Sequence, residues 1–442
     1  MKKQPIAALL LIAAILTVPP PLRAAENNAA SLTAPLTLDE ALHMTREHNP
    51  KSRQAAEALN AADAKITESR SGYYPQLSAK AGYRYLNPVA EMNFNGMPMK
   101  FVPNDNYDAK IEADVMLYDF GRTGRKVDLA KVGRASAEIR QEITLRDLSL
   151  ATVHAFYSVL FLQKAVEVQQ KEIDALQQNL DHMQKRYAEG LATRFDLLTT
   201  QVRLAAAGNR KIDYQTQLQN QEISLRRLCG LDENAPLNLK GSFDISTTDM
   251  NADRLAAKAL ARRPEIMLAR ENLKAANHEK SLAAKEGMPK IMGSASWGTT
   301  NGYVPNINVI RPNMSYGLEV QLPLFTGFRT SAATREAVAM KRSAEQQQID
   351  TEQMTRAEVQ QSLNDLKSSE QKIKTTRLQV EQANLAAKHA RIRYDNGLAT
   401  TLDLLDAEAS LAEASLAHLQ ARYEYVLNAY ALRRASGDLI EH

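Results

Sequence analysis

Residues 186–198 read RYAEGLATRFDLL and residues 393–405 read RYDNGLATTLDLL, identical at nine of thirteen positions across an offset of 207 residues. An internal repeat of this kind constrains architecture before any local reading starts. The same offset aligns Leu117-Tyr118 with Leu324-Phe325, Arg122-Thr123 with Arg329-Thr330, and Cys229-Gly230 with Ser436-Gly437. Upstream the offset becomes 214, pairing Asn49-Pro50 with Arg263-Pro264, Glu57 with Glu271, Leu59 with Leu273 and Pro75 with Pro289. The chain reads as a duplication whose first copy carries seven extra residues between Pro75 and Leu117. Insertions of that kind sit in exposed loops.

Outward from the repeats, four short segments alternate with period two. In 76–85 the apolar set is Leu77, Ala79, Ala81, Tyr83 and Tyr85, against Gln76, Ser78, Lys80 and Arg84. In 107–118 Tyr107, Ile111, Val115 and Leu117 oppose Asp108, Lys110, Glu112 and Asp114. The second copy sets Ile291, Ala295 and Trp297 against Lys290, Ser294 and Ser296, then Met314, Tyr316, Leu318 and Val320 against Asn313, Ser315, Glu319 and Gln321. Alternation gives each strand one apolar and one polar face, and about ten residues is the length a tilted strand needs to cross a bilayer. Tyr83, Tyr107, Trp297 and Tyr316 suit an interfacial aromatic girdle. Four strands cannot close a barrel, and lipid does not tolerate an open edge. A membrane reading therefore requires several chains to share one barrel, and three chains give twelve strands. Loops rich in Pro, Asn and Gly join the strands, from Asn87 to Asn106 and from Thr299 to Pro312.

The rest reads as helix. From Arg122 to Tyr187 and from Arg329 to Tyr394 there is no proline, a run of roughly 66 residues or close to 100 Å each. A seven-residue beat runs through both: Thr152, Val159, Val166, Ile173 and Leu180, then Val359, Leu366, Ile373, Val380 and Ala387. So narrow a stripe predicts a coiled-coil wall rather than a thick core. Helices of about 35 residues return from the RY–GLAT turns, and shorter helices after Pro50 and Pro264 stack end to end with them to cover the long partners. Thr37 followed by Glu40 predicts a capping box for a first short helix.

The N-terminus begins with Lys2-Lys3, continues with an apolar run from Ile6 to Val18, and reaches small residues at Ala24-Ala25. This is the pattern of a secretory signal peptide, with too few apolar residues to span a bilayer. Removing Lys2, Lys3 and Arg23 from the 55 basic residues leaves 52 against 51 acidic, so the charge gives no reason to expect nucleic acid. Beyond the signal no stretch of about eighteen apolar residues is expected, hence no transmembrane helix. Cys229 is the only cysteine, which excludes an intrachain disulfide and a cysteine-rich metal site; its repeat partner Ser436 argues for packing rather than nucleophilic chemistry. The eight histidines are scattered, and no phosphate loop, nucleophile elbow or HExxH motif appears. No enzyme activity, cofactor or certain metal site is expected.

The LTLDEALHMTREHNP opening, the YYPQLSAKAGY and MPKIMGSASW strand starts, the LYDFGR and LFTGFR corners and the paired RYxxGLxT…DLL turns occur in this order over nearly the whole mature chain. Together they resemble the TolC family of outer-membrane efflux and export ducts. The resemblance implies a membrane β-barrel plus a long α-helical barrel. Each internally duplicated chain would give four strands and two long helical hairpins, and a homotrimer would share a twelve-stranded barrel. The expected layout is a signal peptide at 1–24, a first repeat at 25–230 and a connector at 231–263. A second repeat at 264–437 and a tail at 438–442 follow. The barrel strands are placed at about 75–86, 107–119, 289–299 and 313–325, and the hairpins at 121–229 and 327–436.

What the family does is implied on the same footing. The chain would be the passive exit duct of a tripartite efflux or type I secretion system in the outer membrane, surrounded by outer-membrane lipid. A periplasmic adaptor and an inner-membrane pump, proton-driven or ATP-driven, would be its partners. Family carboxylates past the second turn ring the periplasmic entrance, and the matching positions are Asp403 and Asp406, with Tyr394 matching an entrance tyrosine. Without the family, Asp403 and its counterpart Asp196 read as helix caps, and Tyr394 as packing. The turns Gly190, Leu191, Thr193 and Gly397, Leu398, Thr400 match the adaptor-contact sites; small residues there admit another backbone, and they also make plain turn chemistry. One departure stands out. The best-known member carries an arginine two residues past the second turn glycine, where this chain has Ala399, so closure must be held otherwise, with Arg194 and Arg391 as candidates. The alternative to a duct is a structural or adhesive trimeric outer-membrane coiled-coil protein.

Overall fold

A computed structural model describes residues 35–94, 97–245 and 250–438 of the 442. The signal segment expected at 1–24 and all but the first residue of the 438–442 tail lie outside the described residues. In chain order the elements are α1 (Leu38–His48), α2 (Pro50–Arg70), β1 (Gln76–Tyr85), β2 (Glu91–Phe94), β3 (Met97–Lys100) and β4 (Asp105–Tyr118), followed by the long hairpin of α3 (Arg122–Ala188) and α4 (Arg194–Cys229). The series then repeats as α5 (Ala252–Arg262), α6 (Pro264–Lys285), β5 (Lys290–Thr300), β6 (Arg311–Gln321), α7 (Arg329–Asp395) and α8 (Thr401–Ala435).

The helix starts follow from local chemistry. Thr37 and Glu40 form a reciprocal capping box on α1. The Asn49 side chain accepts from the Lys51 N–H to start α2, whose first residue, Pro50, needs no N–H partner; Pro264 has the same place in α6. α3 and α7 are each 67 residues long. Along the seven-residue beat Thr152, Val159, Leu180, Val359, Leu366 and Ala387 are buried and the other four are half-buried, as a wall one helix thick requires.

The four long strands form one antiparallel sheet in the order β1-β4-β5-β6. β4 pairs with β5 across the two copies, setting Ile111 opposite Trp297 and Ala113 opposite Ala295. Cross-strand partners share a face, so this register gathers the apolar sets on one side. On the other, Lys80 and Lys110 both pair with Glu112. β1 and β6 are the edges, and β1 is exposed along its whole length. At both corners from strand to helix two successive residues take left-handed backbone: Phe120 (φ 55°) with Gly121 (φ 78°), and Gly327 (φ 62°) with Phe328 (φ 65°). Such φ values strain a phenylalanine, and each is held by a ring contact, to Tyr118 at 4.8 Å and to Phe325 at 5.7 Å.

Two expectations change. The stretch 87–106, read as loop, contains the β2–β3 hairpin, with Met92 opposite Met99 and a Glu91–Lys100 ion pair of 3.6 Å. Strands of four residues are too short for alternation to register, although Asn95-Gly96 between them is a strong hairpin signal. An eighteen-residue stretch of α3 is also apolar enough by composition to cross a membrane, contrary to the sequence reading, but most of it is buried inside the molecule.

The core lies where the repeats meet. Val153, Phe156, Val159 and Leu160 of α3 pack with Leu42, Leu225, Phe243, Val426 and Tyr430. Leu36 bridges Leu239 of the connector in parallel fashion. Beside this core runs a closed circuit of alternating charge. Arg146 pairs with Glu265, which also accepts from Arg263 (3.2 Å). Arg263 reaches Glu358 (2.5 Å), Glu358 accepts from Arg434 (2.8 Å), and Arg434 meets Asp147 (3.4 Å), next to Arg146. The Arg146 and Arg263 side chains are 3% and 4% exposed, so removing one partner strands a buried charge. Burial opposes ionisation of Glu265, but the hydrogen bonds from Arg146 and Arg263 outweigh it and hold its carboxyl down at about 2.

Because that folded value lies below the ordinary 4.5, the stabilisation is complete above about pH 4.5 and is lost as pH falls from there toward 2. Glu265→Gln is expected to cost on the order of 3 kcal/mol at neutral pH. Thermal denaturation of the detergent-extracted protein across this pH range checks it: the midpoints of wild type and variant converge toward pH 2.

Candidate functional site at the helix tips

The two hairpin turns share one construction. Gly190 and Gly397 take φ of 74° and 73°, and their N–H groups donate to the Tyr187 and Tyr394 carbonyls at 3.0 Å. Leu191 and Leu398 close the motif by donating to the Arg186 and Arg393 carbonyls at 2.7 Å. A side chain on either glycine would meet open space, so their requirement is conformational rather than steric. Thr193 and Thr400 then cap the returning helices. The Asp403 N–H donates to the Thr400 hydroxyl (3.2 Å), while the Thr400 N–H and O–H donate to Asp403 Oδ2 (2.8 and 2.7 Å). Thr193 and Asp196 repeat this box. The hydroxyl and the backbone N–H of Thr400 hold the Asp403 carboxyl below the ordinary aspartate value. Leu191 and Leu398 stand out from the turns at 65% and 69% exposure.

Asp406 lies three residues on, exposed, and its Oδ1 accepts from Arg203 Nη2 of α4 at 2.6 Å. Tyr394 is buried against Met183 and Leu404, and the Arg186 guanidinium sits 5.2 Å from its ring centre. Ala399 packs on the same cluster. Of the two arginines considered for closure, Arg391 is tied to Glu408 of its own hairpin, and Arg194 is exposed at the first turn of α4. The structure thus brings Asp403, Asp406 and Tyr394 to one end of the molecule, on three different kinds of contact: a cap, an ion pair and an apolar cluster.

Sequence reasoning missed Arg203, Asn179 and Glu408. Glu408, 10% exposed, accepts from Arg391 of α7 and from Asn179 of α3. Their signal was the comparison of copies, in which all three differ from their counterparts. Farther along, Cys229 is buried beside Ala41 and Thr45, and burial pushes its thiol up to about 11, which suits packing.

A family model described as outer membrane efflux protein matches residues 41–231 and 255–438. The outer membrane protein TolC of Vibrio cholerae is 25% identical over 410 residues, 91% of each chain. The alkaline protease secretion protein AprF of Pseudomonas aeruginosa is 25% identical over 92% of this chain and 85% of its own. Among solved structures, the Campylobacter jejuni CmeC outer membrane channel shares the fold with a TM-score of 0.81 at 16% identity, over 92% of this chain and 87% of that one. VceC of Vibrio cholerae shares it at 0.77 and 22% identity, over 91% and 97%. The chain belongs to the outer membrane efflux protein family and is an outer-membrane channel for efflux or secretion.

Proposed function

We propose that three copies of the chain build one passive duct, a shared twelve-stranded barrel continued by a helical tunnel whose narrow end is formed by the hairpin tips. The observation that carries this reading is the pair of unpaired sheet edges, β1 and β6, on a sheet with an apolar outer face. In lipid such edges must find partners, and β6 of one chain beside β1 of the next satisfies both. The tips support it independently. Tyr394 and Leu405 are buried against the first hairpin, whereas their repeat counterparts Tyr187 and Leu198 are exposed, as a surface awaiting the neighbouring chain would be. Membership of a channel family displaces the structural or adhesive alternative.

Within this duct the first repeat, the 231–263 connector and the second repeat form successive segments of the wall. Asp403 and Asp406 ring the periplasmic entrance with Tyr394 behind them, repelling anions and attracting cations. All three bonds in the Asp403 cap fall on Oδ2 or on its own N–H, which leaves Oδ1 for an ion. The turns at Gly190–Thr193 and Gly397–Thr400 receive a periplasmic adaptor, with Leu191 and Leu398 as apolar contacts, and an inner-membrane pump drives the cargo. Specificity for cargo lies with that pump.

Three outcomes are expected. Native mass measurement on detergent-extracted protein gives a trimer, and a monomer at micromolar concentration removes the shared barrel. Asp403→Asn combined with Asp406→Asn, which keeps the cap oxygen, raises single-channel conductance and weakens divalent-cation block; unaltered block ends the carboxylate role. Leu191→Asp with Leu398→Asp abolishes export in cells while leaving trimer yield and conductance in bilayers intact, and normal export would remove the turns as the adaptor site.

A further inference from the structure

The registers of the four long strands bring a graded set of charges to one face of the sheet. Gly82, Asp108, Thr300 and Arg311 form one row across it, and Lys80, Lys110, Gly298 and Asn313 the next. Below them run Ser78, Glu112, Ser296 and Ser315, then Gln76, Asp114, Ser294 and Gly317. Arg84 stands above the first row, opposite Asn106. Cross-strand partners and alternate residues share a face, so all of these lie on the side away from Leu77, Tyr83, Ile111 and Trp297. In a barrel with its apolar side in lipid they line the lumen.

The strands meet the long helices at the ends that carry Gln76, Asp114 and Glu319, which are therefore the inner ends; Arg84 and Arg311 mark the outer ends. Along that axis the charge changes sign. In the outer half Lys80 and Lys110 share the single carboxylate of Glu112. The guanidinium groups of Arg84 and Arg311 have no ion pair or hydrogen bond among the described residues. The acids at that end do not answer them. Asp105 accepts from Tyr83 at 2.9 Å on the apolar face. Asp108 lies over Gly82, where its Oδ1 would stand 2.6 Å from an added Cβ, and it pairs with neither arginine. In the inner half Asp114 and Glu319 are exposed and face only Lys290 among the strand cations. The repeat operation carries the Glu112–Ser296 pair onto Glu319 and Gly82 of the next chain, so the neighbour's acid also arrives on the inner side of Arg84. An unpaired guanidinium on a wet wall is a forked donor for phosphate and carboxylate oxygens, and rings of Arg or Lys are how pores favour anions.

We infer that the outer half of the barrel lumen is an anion-binding belt, built on Arg84 and Arg311 with Lys80 and Lys110 beneath them, that takes soluble multivalent anions bearing phosphate or carboxylate groups. The duct then carries opposite charge at its two ends, carboxylates at the tips and guanidinium groups at the exit. The inference rests on the trimeric duct proposed above, and the experiment separates the two.

The full-length protein is added to one side of a planar bilayer of neutral lipid in roughly 50 mM KCl, where the Debye length exceeds about 10 Å. The barrel inserts while the polar hairpins stay on the side of addition, so the opposite side is the outer one. Inorganic tripolyphosphate added to the outer side is expected to lower the current. Arg84→Gln with Arg311→Gln is expected to weaken that block about tenfold. Trimer yield and the conductance in about 1 M KCl, where charges are screened within about 3 Å, should not change. Arg84→Lys with Arg311→Lys keeps the charge and most of the block. Equal block in the glutamine variant, or a wild-type block that acts only from the helical side, overturns the belt. A wild-type protein that forms no pore of trimeric mass removes the duct itself.

Discussion

An exposed sheet edge has no place in hydrocarbon, and the rest of this structure depends on that constraint. The chain ends its four-stranded sheet with β1 on one side and β6 on the other. Neither edge is shielded by a helix or blunted by a bulge. Water could hydrate such edges, but a bilayer cannot. Closure therefore has to come from further copies, and closure by copies imposes a symmetry on everything attached to the strands. The long helices enter directly from the sheet at Gly121 and Phe328, so the number of chains that closes the barrel also fixes the number of hairpins in the wall below it.

Midway along the chain the demands differ. The helical wall is thin, and its narrow, largely β-branched seven-residue stripe cannot by itself hold two copies in register. That task falls on the junction, where Phe156, Leu225, Val426 and Tyr430 belong to the largest apolar cluster among the described residues and the circuit of Arg146, Glu265, Arg263, Glu358, Arg434 and Asp147 crosses from α3 to α6, α7 and α8. Buried ion pairs contribute little net stability compared with apolar packing, yet they penalise misalignment heavily. Placed at the junction, they set register where the wall has least specificity of its own.

Much of this was legible in the sequence because duplication doubles each signal. Alternation marks the strands, the absence of proline marks the long helices, and near identity marks the turns. What escaped had a physical reason in each case. The β2–β3 hairpin has strands of only four residues, and it occupies an insertion with no second copy for comparison. The apolar stretch of α3 is indistinguishable by composition from a membrane span; only its burial against neighbouring helices separates the two. At the tips, Asp403 and Tyr394 stand out through the repeat and the family, whereas Arg203, Asn179 and Glu408 are ordinary helix residues until the second hairpin is laid against the first. Long-range side-chain pairing leaves no periodic trace in a chain.

The pairing of β4 with β5 has a consequence for the order in which the molecule can be made. Asp108 lies opposite Thr300, with the whole first hairpin, the connector and α6 between them in the chain. Local hairpins close quickly, but a contact spanning so much sequence must wait for the loop to be gathered. The central ladder of the sheet therefore cannot begin until β5 has left the export machinery, while the helices of the first copy can already be in place. The apolar face of the sheet thus comes together only once the chain has been exported past β6, with the α7–α8 hairpin still to follow.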